Sequence, residues 1–164
     1  MCMNVFFTDE PIESRAFAER ILRERCGVAA PRFERGVCGK PRLCGAPPFF
    51  SLAHTHGRTF LAVGGEEVGL DAEWRSRPLP AALLSRLTPA EQKEDFFRLW
   101  TAKEAYIKYC GGTLARLLPR LRFEGGQLTK DGAPLPVHIA FYEAEHFTLA
   151  LCTASPHTID LVHG

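Results

Sequence analysis

What this chain of 164 residues lacks narrows it first. It carries almost no net charge, 20 Lys and Arg against 19 Asp and Glu, whereas a dedicated nucleic-acid binder shows a strong basic excess. Its six cysteines include no C-x-x-C pair, so neither metal-finger spacing nor a disulfide framework is expected. No apolar run approaches the length that spans a bilayer. The apolar patch Val5–Phe7 is followed at once by Asp9 and Glu10, which reads as a first strand and not as a signal peptide. No segment is of low complexity. A reducing cytoplasm is the default address.

What is present is ordinary in bulk and uneven in detail. A hydrophobic content of 46% with 24% charged residues suits one globular domain, or two small halves sharing a core. From Glu13 to Leu43, eight basic residues face four acidic ones, and such a face fits a phosphorylated small molecule better than a polyanion. Asn4–Phe7 reads as a strand, and a helix capped by Asp9 is expected from about Glu10 to Cys26, ended by Gly27. Pro31 to Pro48 reads as a loop with at most a short strand, and it contains Gly39-Lys40-Pro41. Further strands are expected at Phe49–Ala53, Thr59–Val63, Val68–Trp74, Leu121–Phe123, Gln127–Leu128, Val137–Tyr142 and Phe147–Cys152. Thr59–Val63 and Phe147–Leu151 echo one another, which points to two related α+β halves joined near Arg75–Pro80.

Two stretches carry chemistry. Thr88 to Gly112 opens with a capping box, Thr88 and Glu91 with Pro89 at the first helical position, and closes on Gly111-Gly112. Phe96, Leu99, Trp100, Ala102, Tyr106 and Ile107 form an apolar stripe along it, with a break possible near Glu94-Asp95 and Trp100 read as core. Glu104 and Lys108 lie along one edge of the stripe and Lys103 along the other. In the strand Val68–Trp74, Asp71 and Glu73 share the face opposite Val68, Leu70 and Ala72, roughly 7 Å apart at Cα. Two such carboxylates suit magnesium, which takes one or two and completes its shell with water and phosphate. Singly, each feature has a plain alternative: a solvated i,i+4 pair worth a few tenths of a kcal/mol, or the wet face of a strand. His54 alone reads as a strand-end histidine, Lys40 as a loop charge and Arg15 as a solvated helix residue.

Taken together, Val68-Gly69-Leu70-Asp71-Ala72-Glu73 and Leu99-Trp100-Thr101-Ala102-Lys103-Glu104-Ala105-Tyr106-Ile107-Lys108 resemble the paired signature of 4′-phosphopantetheinyl transferases, G-[IVL]-D-x-E followed by W-x-x-K-E-[AS]-x-x-K. The resemblance is to the single-chain, pseudo-dimeric branch typified by the surfactin-synthetase activator. Arg15, Gly39-Lys40-Pro41 and Ser51-Leu52-Ala53-His54-Thr55 also line up in order. It implies an α+β fold of two similar halves, residues 1–75 and 76–164, with antiparallel sheets packed pseudo-symmetrically in a monomer. It implies an enzyme that moves phosphopantetheine from coenzyme A to a serine of an apo acyl or peptidyl carrier protein and releases 3′,5′-ADP. Asp71, Glu73 and Glu104 would hold Mg2+; Lys108 would face the pyrophosphate and Lys103 would reach coenzyme A from the flank. Glu104, directly or through a metal-shell water, would be the base, while Arg15, Lys40, His54 and Thr55 would gather around the 3′-phosphate.

The segment ahead of Arg15 is short against the usual pattern, and Ala53 stands where the pattern has serine, so fewer contacts to the 3′-phosphate are expected. Carrier docking is expected on Leu79, Leu83 and Leu84, flanked by Arg75, Arg77 and Arg86. The rival readings are a non-catalytic relative that binds coenzyme A or a carrier, and a magnesium-dependent phosphohydrolase. Four costly charges held together weigh against the mere binder.

Overall fold

The computed structural model describes every residue except Ala46, and every side chain but those of Ala46 and Val37. The part of the expected Pro31–Pro48 loop that falls on Ala46 therefore lies outside the described residues. In chain order, β1 (Cys2–Thr8) leads into α1 (Ser14–Cys26), the hairpin β2 (Phe33–Arg35) and β3 (Pro41–Leu43), then β4 (Phe49–Thr55), β5 (Arg58–Gly64) and β6 (Val68–Trp74). One helical turn, α2 (Ala81–Leu84), precedes the long helix α3 (Phe96–Cys110) and a further turn, α4 (Leu114–Leu117). The strands β7 (Leu121–Glu124), β8 (Gln127–Lys130), β9 (Ala133–Pro134), β10 (His138–Glu143), β11 (Phe147–Thr153) and β12 (Thr158–His163) follow.

Strand alternation sorts the apolar residues into layers. Val5, Phe60 and Ala62 of the sheet β12-β1-β5-β4 meet Val68, Leu70, Leu149 and Leu151 of the sheet β10-β11-β6, forming a core between the two sheets. On the outer face of the first sheet, Phe6, Phe50 and Leu61 pack on Phe17, Ala18 and Ile21 of α1. On the outer face of the second, Ala150 and Cys152 pack on Leu99, Ala102, Ala105 and Tyr106 of α3. The order is helix, sheet, sheet, helix. This is the α+β architecture that the resemblance implies, its sheets antiparallel except where β12 joins β1. β5 and β11 are covered on both faces, which is why each is an almost unbroken apolar run, and why the two echo one another.

The pairing crosses the midpoint of the chain. β6 joins the second sheet by pairing antiparallel with β11, Leu70 opposite Leu151. β12 joins the first by pairing parallel with β1, Cys2 opposite Thr158. No strand was expected at Thr158–His163, and none of its short-range features marks it, because its partner lies at the other end of the chain.

Two helix boundaries differ from expectation. α1 starts at Ser14, capped by Glu13, whose carboxylate accepts from Ala16 N at 3.1 Å. Asp9 is instead paired with Arg58, and Glu10 with Arg20. The Thr88–Glu91 capping box does form, each backbone N–H donating to the other's side chain at 3.1 and 3.2 Å. It opens only one 3-10 turn, Glu91–Lys93, because Glu94 swings to an extended ψ of 156° and Asp95 caps afresh, accepting from Arg98 N. Trp100 is half-buried and stacks on Phe96, with ring centroids 6.0 Å apart, so it props the helix from outside the core. Among the described residues, no helix is long and apolar enough to cross a membrane.

α3 lies so close to β6 that Gly69 has no room for a side chain. A Cβ there would meet the Ala105 carbonyl oxygen and stand 2.5 Å from Tyr109 N, both backbone atoms of the helix. Neither atom can step aside without moving α3. Gly69→Ala is therefore expected to cost at least ~2 kcal/mol in urea unfolding, whereas Gly65→Ala, which meets nothing within 4 Å, is expected to cost much less.

Candidate active site

The close approach at Gly69 sets the register of the site. Two residues along β6 on the same face, Asp71 comes opposite the edge of α3 that carries Glu104 and Lys108. Lys108 Nζ donates to Asp71 Oδ1 at 2.8 Å and to the Leu52 carbonyl at 3.3 Å. Asp71 is 6% exposed, and its Oδ2 is buried with no hydrogen-bond partner. Glu73, at the mouth of the strand, accepts from Arg77 Nη2 at 3.1 Å, while Arg77 Nε stands 2.7 Å from its other oxygen without aligning its hydrogen. The plain alternative of a wet strand face does not hold, since the face is closed by the helix at Asp71 and by Arg77 at Glu73.

Burial sets the protonation equilibria here. The Asp71 carboxyl is pushed up from 3.8 to about 7, chiefly by loss of water, with Glu104 and Glu73 adding repulsion and Lys108 opposing it. Glu104 is raised too, first by burial and then by Glu73, against the pull of Lys108, Arg77 and the neighbouring Trp100. Among the described residues, no three His, Cys, Asp or Glu side chains stand together in metal-ligating geometry. Asp71, Glu73 and Glu104 are electrostatic neighbours; Asp71 is held by Lys108 and Glu73 by Arg77. A buried carboxylate oxygen with nothing to accept from nonetheless fits a hard cation, and oxygen donors of this kind are what magnesium takes.

A cleft leads from this cluster toward α1. Beside Lys108, a cavity of about 260 Å³ runs between Gly39-Lys40-Pro41 and Gly111-Gly112. Gly39, Pro41, Phe50 and Leu52 are shared with a second cavity of about 550 Å³, which reaches Ser14, Arg15, Phe33 and Arg35. Arg15 lies over the Phe33 ring, 5.2 Å from its centroid, and pairs with Glu19. His54 Nε2 contacts the Ser14 hydroxyl at the head of α1. Burial and the nearby Lys108 charge lower the His54 pKa, so the neutral ring is favoured before any anion arrives.

Three expected contacts lie elsewhere. Lys103 is buried on the other side of α3, its ammonium 2.5 Å from a carboxylate oxygen of Glu91. That carboxylate also accepts Phe123 N. Lys103 thus ties α3 to β7 and does not face the cleft that holds Lys108. Lys40 is bonded to Glu67 and to the Val68 carbonyl at 2.9 Å, which puts its ammonium on the wall nearest Lys108 and away from Arg15. Thr55 alternates with His54 and so shares the inter-sheet face of β4 with Ser51 and Ala53. Sequence reasoning missed Ser14 and Arg35, and it assigned Arg77 to carrier docking, whereas the structure places it on Glu73. The basic excess of residues 13–43 pointed toward Arg35; nothing local singles out Ser14.

In metal-free protein, Asp71 keeps its proton over a range where the unfolded chain releases it. The stability this contributes is present below about pH 4 and is lost as pH rises toward about 7. In EDTA, the wild type is expected to lose on the order of 3 kcal/mol relative to Asp71→Asn between pH 4 and 8. Urea unfolding at each pH measures it, and parallel curves would contradict the assignment.

The same region stands out in comparison with known proteins. The 4′-phosphopantetheinyl transferase superfamily profile matches residues 67–152, which run from the start of β6 through α3 to β11. The 4′-phosphopantetheinyl transferase AcpT of Salmonella typhimurium is 29% identical over 157 residues, covering 87% of this chain and 77% of that protein. The transferase psf-1 of Bacillus pumilus is 30% identical over 146 residues, covering 76% of this chain and 61% of its own. Sfp of Bacillus subtilis is 25% identical over 144 residues, with 76% and 64% covered. The strand and helix that meet at Gly69 are the stretch by which this chain belongs to the 4′-phosphopantetheinyl transferase superfamily.

Proposed function

We propose that the chain transfers the 4′-phosphopantetheine group of coenzyme A to a serine of an apo acyl or peptidyl carrier protein, with Mg2+, releasing 3′,5′-ADP. The observation that carries this reading is the buried, partnerless Asp71 Oδ2, whose carboxylate is bonded to Lys108, the residue that lines one end of a cleft reaching Arg15 and Arg35. Such a cleft suits an elongated molecule with a pyrophosphate at one end and a further phosphate at the other. Asp71, Glu73 and Glu104 would hold the ion, which when bound neutralises charge on the pyrophosphate. Lys108 exchanges its carboxylate partner for the pyrophosphate. Arg15 and Arg35, with the Ser14–His54 pair, receive the 3′-phosphate by charge-assisted hydrogen bonds.

In the transfer, the carrier serine oxygen bonds to the phosphorus nearer the pantetheine and the bridging P–O bond breaks. The serine proton passes to the Glu104 carboxylate, directly or through a metal-shell water. The carrier docks beside it, in a cleft of about 400 Å³ lined by Leu83, Leu87, Leu99, Trp100 and Leu118, with Arg86 and Arg122 at the rim. Of the arginines expected to dock the carrier, Arg75 is engaged with Asp95 and Thr148, and Arg77 with Glu73. All six cysteines are free thiols, in keeping with the cytoplasm as its setting. We read the chain as a monomer, its halves at residues 1–75 and 76–164 related by a pseudo-twofold.

Incubation with coenzyme A, Mg2+ and an apo-carrier tests the reaction by mass spectrometry. A phosphopantetheine mass gain on the carrier is expected, and Glu104→Gln is expected to lower the rate at least ~100-fold with unfolding unchanged. Unchanged reactants would make the chain a binder, and cleavage of coenzyme A without a carrier would make it a hydrolase.

Docking has its own signature. Arg86→Glu with Arg122→Glu is expected to raise the KM for an acidic carrier several-fold, more steeply at low salt, and to leave the KM for coenzyme A unchanged. Equal effects on both substrates would remove the cleft from the docking surface.

A further inference from the structure

The metal-free site offsets most of its own charge, and one of the groups that does so has no place in the motif. Asp71, Glu73 and Glu104 bring up to three negative charges; Lys108 and Arg77 supply two positive ones. Lys108 holds Asp71. Arg77 sits in the turn after β6, its backbone N–H bonded to the Trp74 carbonyl at 3.2 Å. From there the side chain folds back over the strand end, with both Glu73 oxygens in reach of its guanidinium. The planar fork of an arginine matches a carboxylate edge-on, so it covers the lone pairs that a cation would use.

Resting on the transferase reading above, we infer that Arg77 is a built-in stand-in for the divalent ion: it occupies Glu73 until coenzyme A and the ion arrive together. An ion alone must displace the guanidinium from Glu73 and compete with Lys108 for Asp71. A pyrophosphate changes the balance, because its negative charges offer the displaced cations a new partner. Ion and coenzyme therefore bind cooperatively, and by linkage each tightens the other by the same factor. The device pairs two of the three neighbouring carboxylates in the empty enzyme, and it disfavours an ion bound without substrate. Arg77 is here a positioning residue, acting through Glu73.

Mn2+ titration followed by electron paramagnetic resonance reads this without turnover, since no carrier is added. Wild type is expected to bind Mn2+ weakly alone and at least about tenfold more tightly with coenzyme A, after subtraction of the coenzyme's own ion binding. Arg77→Ala is expected to bind Mn2+ alone roughly fivefold more tightly than wild type, with Arg77→Lys in between and the gain from coenzyme A reduced in both. Thermal unfolding gives an independent readout: in EDTA the Arg77→Ala protein still melts cooperatively, and Mn2+ raises its Tm more than it raises the wild type's. Equal or weaker Mn2+ binding in Arg77→Ala, with coenzyme-dependent binding intact, would overturn the role of Arg77 and leave the metal site standing. Absence of Mn2+ binding in every protein, even with coenzyme A, would overturn both.

Discussion

The backbone of α3 rests on β6 at Gly69, and that contact governs both the fold and the site. With no side chain at Gly69 and small ones at Ala102 and Ala105, the helix settles onto the sheet closely enough to bury the outer face of β6. One strand repeat further on, Asp71 is sealed from water between the strand and the helix. Water would otherwise solvate its charge and weaken every interaction nearby; without it, Asp71 and Glu104 both become reluctant acids. The chemistry is thus a consequence of a packing distance.

The same helix shows how motif residues divide their labour. Lys103 and Lys108 lie five residues apart, about 140° around the helix, so they face different surroundings. One is locked on Glu91 and ties α3 to β7. The other sits against Asp71 at the cleft. A charged residue beside Glu104 in sequence therefore need not share its site. Burial makes the Glu91 pair rigid: Glu91 also completes the capping box, so one carboxylate joins the loop before the helix, the helix itself and the strand after it.

What could be read from the residues follows the range over which each feature is determined. β5, β6 and β11 declared themselves because burial of one or both faces writes a pattern within a few neighbouring positions. The end of α3 was legible for a similar reason, since Gly111 adopts a φ of 62° that favours glycine. The start was legible only in part, as a possible break near Glu94-Asp95, because two valid caps, Thr88 and Asp95, compete within one stretch and only the surroundings of Glu91 decide between them. At the site, the Asp71, Glu104 and Lys108 cluster was legible as a motif. Thr55 facing the inter-sheet core, Lys40 turned onto Glu67 and Arg77 folded back onto Glu73 depend on strand alternation and turn geometry across separate segments, which no local pattern records.

The crossed pairing of β6 and β12 bears on how such a chain reaches its native state. β1 has β5 on one edge early, but its other edge remains open until β12 arrives, and Cys2 lies opposite Thr158. Closing so large a loop costs entropy that no local contact offsets beforehand, so this step belongs late in folding. Until then the chain exposes a free strand edge rich in Val5, Phe6 and Phe7, the kind of template on which neighbouring chains associate. Chaperones that shield extended apolar segments would find their first task there.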